Sequence, residues 1–194
     1  MKILCLADEE DPAYWEYLRR DKLRDIDLMI SCGDLKAEYL SYLVTLGRAP
    51  LLYVHGNHDE SYAVNPPEGC DCIDGRLVTV KGLRIAGLGG CVRYRPGSFQ
   101  YTQTQMKQRV WRMHWKLRRG VDIVVAHAPV KGFGDMPNVT HEGFSAFEHL
   151  IRTYHPKFLL HGHVHQRYGY QQQREYELEG TRIINVGSSY ILEI

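Results

Sequence analysis

At 194 residues the chain is long enough for one well-filled core and short for two. Charged residues at 24% and hydrophobic ones at 44% are ordinary for a globular protein, and a net charge of +1 excludes bulk attraction to nucleic acid or anionic membrane. No membrane-span-length segment occurs, the first apolar run is too short for a secretory leader, and five scattered cysteines read as reduced thiols, so a cytoplasmic protein is expected.

In chain order, the first predicted strand covers Lys2 to Ala7 and ends at Asp8, followed by Glu9-Glu10-Asp11. A helix is expected over Pro12 to Arg19, then a strand over Asp27 to Cys32 that ends in Gly33-Asp34. The next helix, Leu35 to Leu46, is closed by Gly47. The apolar run Leu51 to Val54 leads through His55 into Gly56-Asn57-His58-Asp59, where Gly56 is expected to permit a tight turn. A long loop, Glu60 to Asp74, carries Cys70-Asp71-Cys72, which lacks the second ligand pair of a zinc site. Closely spaced strands between Leu77 and Leu88 suggest a hairpin.

A helix is expected over Thr102 to Arg119, closed by Gly120. It carries six basic residues and no acidic one, with an apolar stripe of Met106, Val110, Met113 and Leu117. Most of its charges are expected to be solvated and the Trp111 and Trp115 rings to cover neighbouring core; nucleic-acid binding is the less favoured reading. The strand Val121 to Ala126 ends at His127, and a second long loop, Ala128 to Glu142, follows. A helix over Gly143 to Tyr154 precedes the strand Lys157 to Leu160, which runs into His161-Gly162-His163-Val164-His165. Strands with glycine turns fill Arg167 to Ile194. Strands alternating with helices argue for an α/β fold of two sheets packed face to face with helices outside.

Five apolar runs thus stop at residue types that bind metals. Polar groups at the tips of buried strands need partners, which metal ions or a phosphate would supply. Asp34 has two oxygens with which to bridge two cations. Asn57 offers an amide oxygen, His127, His163 and His165 offer imidazole nitrogens, and Asp8 another carboxylate. His163 and His165 are two residues apart, so both face one side of an extended segment. Mixed imidazole and carboxylate ligands suit manganese, iron, zinc or nickel. His58, next to a ligand, is expected to face the open side as proton donor to a leaving oxygen, with Asp59 orienting its ring.

In Asp8-Glu9-Glu10, Gly33-Asp34, Gly56-Asn57-His58-Asp59, His127 and Gly162-His163-Val164-His165 the sequence resembles the calcineurin-like metallophosphoesterases, whose motifs occur in this order. The resemblance extends from Asp8 to His165 and implies a four-layer α-β-β-α sandwich; with the chain length it leads to the expectation of a single domain over residues 1–194. It implies one metal held by Asp8, Asp34 and His165, a second by Asp34, Asn57, His127 and His163, and His58 as general acid. Glu10 stands where the family has a histidine; it is expected to ligate the first metal as a third carboxylate, favouring manganese, the competing reading being that it faces solvent and leaves that metal weak or absent.

Arg93 and Arg95 are candidates to hold substrate phosphate, since a guanidinium matches phosphate oxygens, and His141 to reach substrate from its loop. The function expected is a metal-dependent phosphoesterase that cleaves a phosphomonoester or phosphodiester by attack of a metal-bridging hydroxide. The alternatives are a nuclease acting on single-stranded nucleic acid by the same chemistry and a non-catalytic protein-binding scaffold of the same fold. Substrate and oligomeric state are left open.

Overall fold

The computed structural model describes residues 1–16, 20–165 and 173–194. Its strands and helices begin with β1 (Lys2–Leu6), β2 (Leu28–Ser31), α1 (Ala37–Leu46), β3 (Leu51–Tyr53) and β4 (Asp71–Cys72). Next come β5 (Leu77–Val80), β6 (Leu83–Leu88), β7 (Cys91–Val92), β8 (Gln100–Tyr101), α2 (Gln103–Arg112) and α3 (His114–Leu117). The chain closes with β9 (Ile123–Ala126), α4 (Ser145–Tyr154), β10 (Phe158–His161), β11 (Glu175–Leu178), β12 (Thr181–Asn185) and β13 (Ser189–Glu193).

One sheet has the order β13-β1-β2-β3-β4 and the other β11-β12-β10-β9-β6-β5, while β7 and β8 pair separately. Within the first sheet, β1 to β4 are parallel and β13 joins β1 antiparallel. In the second, β12, β10, β9 and β6 are parallel, edged by antiparallel β11 and β5. The two antiparallel edges are hairpins turned by Lys81-Gly82 and Glu179-Gly180, with positive φ at both central residues.

Alternation along the strands builds three apolar layers. Ile3, Cys5, Leu28, Ile30 and Leu52 meet Ile85, Ile123, Val125, Leu160 and Ile184 between the sheets. Leu4, Leu6, Met29 and Leu51 face outward onto Tyr39, Leu40 and Leu43 of α1. Ala86, Val124, Leu159 and Ile183 face outward onto Met106 and Val110 of α2 and Phe147, Leu150 and Ile151 of α4. This is the expected four-layer sandwich. The parallel strands all release their C-terminal ends toward one edge of it, where the ligand-type residues sit. No helix among the described residues is long and apolar enough to cross a membrane.

Three local expectations change. The stretch Pro12 to Arg19 opens with a single 3-10 turn, Pro12–Tyr14, in place of a helix; residues 17–19 lie outside the described ones. Asp11 accepts the Ala13 N–H, and Trp15 leaves helical geometry to set its ring edge-on against Tyr39 and Tyr42. The basic helix is capped by Thr102 and Gln105 as a reciprocal pair but is broken at Met113 into α2 and α3. Its apolar stripe is buried as expected, yet Trp111 and Trp115 are each 73% exposed and cover no core. Arg109 is not solvated: it donates to Asp74 Oδ1 at 2.5 Å and to the Gly89 carbonyl at 2.7 Å.

Candidate metal centre

Asp34, His127 and His163 each present a ligand atom within 4.8 Å of the others, forming a three-residue donor cluster among the described residues. Asn57 joins it, with Oδ1 at 3.0 Å from His127 Nε2. These are the four residues assigned above to the second metal, delivered by the ends of β2, β3, β9 and β10.

The local backbone explains how the polar groups crowd together. Asp8, Asp34 and His163 all lie in the left-handed region, with φ of 64°, 59° and 69°. That conformation is uncommon outside glycine and turns each side chain off the strand axis. Two glycines leave the carboxylates room. A Cβ on Gly56 would stand 2.0 Å from Asp34 Oδ1, and one on Gly162 would stand 2.6 Å from Asp8 Oδ2. Gly56 is therefore needed for the close approach of Asp34; its φ is not in the left-handed range, so the expected turn requirement is not the reason.

His127 is fully buried and donates from Nδ1 to the Cys32 carbonyl at 2.9 Å, which leaves Nε2 facing Asn57 Oδ1 and, at 3.3 Å, Asp34 Oδ2. Burial works against its charged form, but the carboxylates of Asp34, Asp8 and Asp59 outweigh it and push the pKa up to about 9. The imidazolium favoured in this way would donate from Nε2 to these oxygens. Asp34 is held down to about 2: burial opposes ionisation, and the His127 charge and hydrogen bond together with the His58 amide overcome it. His163 donates from Nε2 to the Thr140 carbonyl at 2.7 Å; burial and the neighbouring His127 charge keep it neutral, so Nδ1 carries its lone pair. One carboxylate, one amide oxygen and two oriented imidazoles fit a divalent cation of intermediate softness.

The residues assigned to the first metal are placed less uniformly. Asp8 receives the His163 N–H on both carboxylate oxygens at 2.9 Å, and burial raises its pKa to about 6. His165 lies 3.4 Å from Glu9 Oε1. Glu10 lies 3.3 Å from the Lys36 ammonium.

His58 is exposed between two buried neighbours, and its N–H donates to Asp34 Oδ1 at 2.8 Å. Asp59 Oδ2 accepts the Asp34 N–H at 2.9 Å and the Gly56 N–H at 2.7 Å. Its hydrogen-bond partners among the described residues are these two amides, so its contacts clamp two ligand loops together. Arg93 is tied to the Gln100 carbonyl and Gln105 Oε1. Arg95 lies over the Tyr94 ring at 5.4 Å, and the Tyr94 hydroxyl is 3.4 Å from Asn57 Nδ2. His141 has its ring centre 5.3 Å from that of His163 and its Nδ1 2.9 Å from Asn138 Oδ1. His161 is fully buried, with no partner at Nε2 among the described residues, and burial lowers its pKa to about 4.

Sequence reasoning missed Tyr94, the Thr140 carbonyl and the Cys32 carbonyl. The last two are backbone groups without a residue-type signal; Tyr94, between two arginines already singled out, was the findable one.

The profile of the calcineurin-like phosphoesterase superfamily domain matches residues 1–192. An uncharacterized protein of Haemophilus influenzae is 28% identical over 184 aligned positions, covering 82% of this chain and 79% of the relative. One solved structure superposes with a TM-score of 0.71 at 14% identity, covering 98% of this chain and 94% of its own. TT1561 of Thermus thermophilus superposes with a TM-score of 0.64 at 16% identity, covering 96% and 89%. GAP50, described as the anchor in the inner membrane complex of Plasmodium, gives 0.53 at 13%, covering 97% and 71%. At these identities the structures share the fold.

Proposed function

The chain belongs to the calcineurin-like phosphoesterase superfamily, and we propose that it is a cytoplasmic, metal-dependent hydrolase of a phosphomonoester or phosphodiester. The convergence of Asp34, His127 and His163 around a common point, with Asn57 beside them, carries this reading. When bound, divalent cations supply Lewis acidity and a nucleophile derived from water. Asp34, Asn57, His127 and His163 would hold one; Asp8, Glu10 and His165 join Asp34 for another, manganese being favoured by the carboxylate share. Glu10 would exchange its pairing with Lys36 for that role.

The protein's own contribution is placement. Asp59 fixes the two loops that carry Asp34 and Asn57, and the Cys32 carbonyl fixes the tautomer of His127. His58, exposed and tethered through its amide to Asp34, gives a proton to the leaving oxygen. Arg95, over the ring of Tyr94 that reaches Asn57, and His141, beside His163, take phosphate oxygens in this reading. Arg93, bound to Gln100 and Gln105, holds the Arg95 loop in place.

Elemental analysis of protein loaded with manganese, iron, zinc or nickel, alongside hydrolysis of p-nitrophenyl mono- and diesters, tests the proposal. His127→Ala is expected to lose a bound cation and hydrolysis together. Wild-type protein that binds cations yet cleaves neither ester would favour the scaffold reading, to which the Glu10–Lys36 pair and the missing imidazole at position 10 give specific support.

A further inference from the structure

Between α2 and α4 the outer helix layer opens into a groove of about 690 Å³, lined among others by Lys107, Trp111, His114, His149 and Tyr154. It continues past His114 and Tyr154 into a smaller recess of about 270 Å³ that reaches Arg118. Arg84, at the start of β6, bonds the Lys116 and Gly120 carbonyls, whereas Gly90, just past the end of β6, bonds His55 beside the ligand loops. The far end of the groove is therefore about 20 Å of chain from the ligand loops.

Two properties of this surface narrow its occupant. First, no carboxylate lines either part of it among the described residues. Lys107 and Arg118 in the groove, and Arg112, Lys116 and Arg119 beside it, have no acidic partner among the described residues, whereas Arg109 of the same helix is spent on Asp74. Second, the apolar surface on offer is aromatic. Val110 and Ala146 on the floor are buried, while the Trp111 and Trp115 indoles stand out at 73% exposure.

We infer that this face binds single-stranded nucleic acid, its bases stacking on Trp111 and Trp115 and its phosphates meeting Lys107, Arg118 and their neighbours. Unpaired cations spaced along a helix suit a repeating polyanion, and exposed ring faces suit unpaired bases, which a duplex hides. A second copy of this chain is a poor occupant, because self-association would bring these uncompensated cations face to face. A membrane would not fill a concavity, and an acidic peptide would leave the indole faces without flat partners.

Fluorescence anisotropy with labelled oligothymidylate and oligouridylate of about 15 nucleotides tests this, with chelator present so that hydrolysis does not enter. Binding is expected to fall steeply between roughly 50 and 200 mM salt and to be weaker for a duplex of equal length. Trp111→Ala, an exposed change that leaves the melting temperature and p-nitrophenyl ester hydrolysis unaltered, should weaken binding about tenfold. Lys107→Glu with Arg118→Glu should weaken it further and flatten the salt slope by about 2. His127→Ala should bind as wild type does. Absence of saturable binding, an unaffected Trp111→Ala variant, or loss of binding in His127→Ala would overturn the inference. So would tighter binding of polyglutamate or of phosphatidylserine vesicles, or dimerisation abolished by Trp111→Ala.

Discussion

Replacing Asp59 separates two roles that its position allows. As a loop clamp, it accepts two amides through Oδ2, from Asp34 after β2 and from Gly56 after β3, while only 2% exposed. Asp59→Ala strands both donors, and a buried donor without a partner costs about 1–3 kcal/mol. The cost is partly offset because burial of the carboxylate outweighs its amide bonds and raises its pKa, so removing the charge relieves some desolvation. A net loss of about 2–4 kcal/mol is expected, which for a domain of this size lowers the melting temperature by about 5–10 °C. Asp59→Asn keeps an oxygen in place and should lose about half as much. Both variants should also weaken cation binding, since the backbone that aims Asp34 is released. Thermal unfolding by circular dichroism and calorimetric titration with manganese read these effects. An Asp59→Ala protein that melts within about 1 °C of wild type and binds manganese equally, yet hydrolyses esters slowly, would refute the clamp and restore the role of orienting His58.

Two further outcomes follow from the same centre. In chelator, folding raises the His127 pKa from 6.5 to about 9, so its charge stabilises the fold fully below pH 6.5 and that contribution is lost as pH rises through about 9. Urea unfolding should show a decline on the order of 3 kcal/mol from His127 over this window. His55, whose burial is outweighed by the bond to Asp74 that pushes it up to about 9, declines in the same window, so His127→Gln should decline less steeply than wild type; equal slopes in the two proteins would mean that no proton sits between His127 and Asp34. Gly56→Ala puts a methyl group 2.0 Å from Asp34 Oδ1, so it should destabilise the protein by about 1–3 kcal/mol and weaken manganese binding, whereas Gly75→Ala, with open space around it, should leave binding unchanged.

Much of the centre was legible because its residues interrupt apolar runs. A strand buried on both faces has no physical reason to end in Asp34, Asn57 or His127 unless polar groups meet there, and the alternation of Leu4 and Leu6 against Ile3 and Cys5 already divided the layers. The exposed indoles were also readable in principle. Met106, Val110, Met113 and Leu117 complete a buried stripe, so Trp111 and Trp115, off that stripe, had no core left to cover. What side-chain identity could not reveal is the backbone. Asp8, Asp34 and His163 adopt left-handed conformations that cost about 1–2 kcal/mol each and that no glycine announces at those positions. Their strain is held by bonds among the loops themselves: Asp8 N–H to the Gly33 carbonyl, Asp34 N–H to Asp59, and His163 N–H to Asp8. Each of the three left-handed residues is thus fixed by another loop of the centre, which lets the fold hold the ligand geometry in advance of any cation. A cation would meet loops whose backbone is already fixed, so little ordering would remain to oppose its binding.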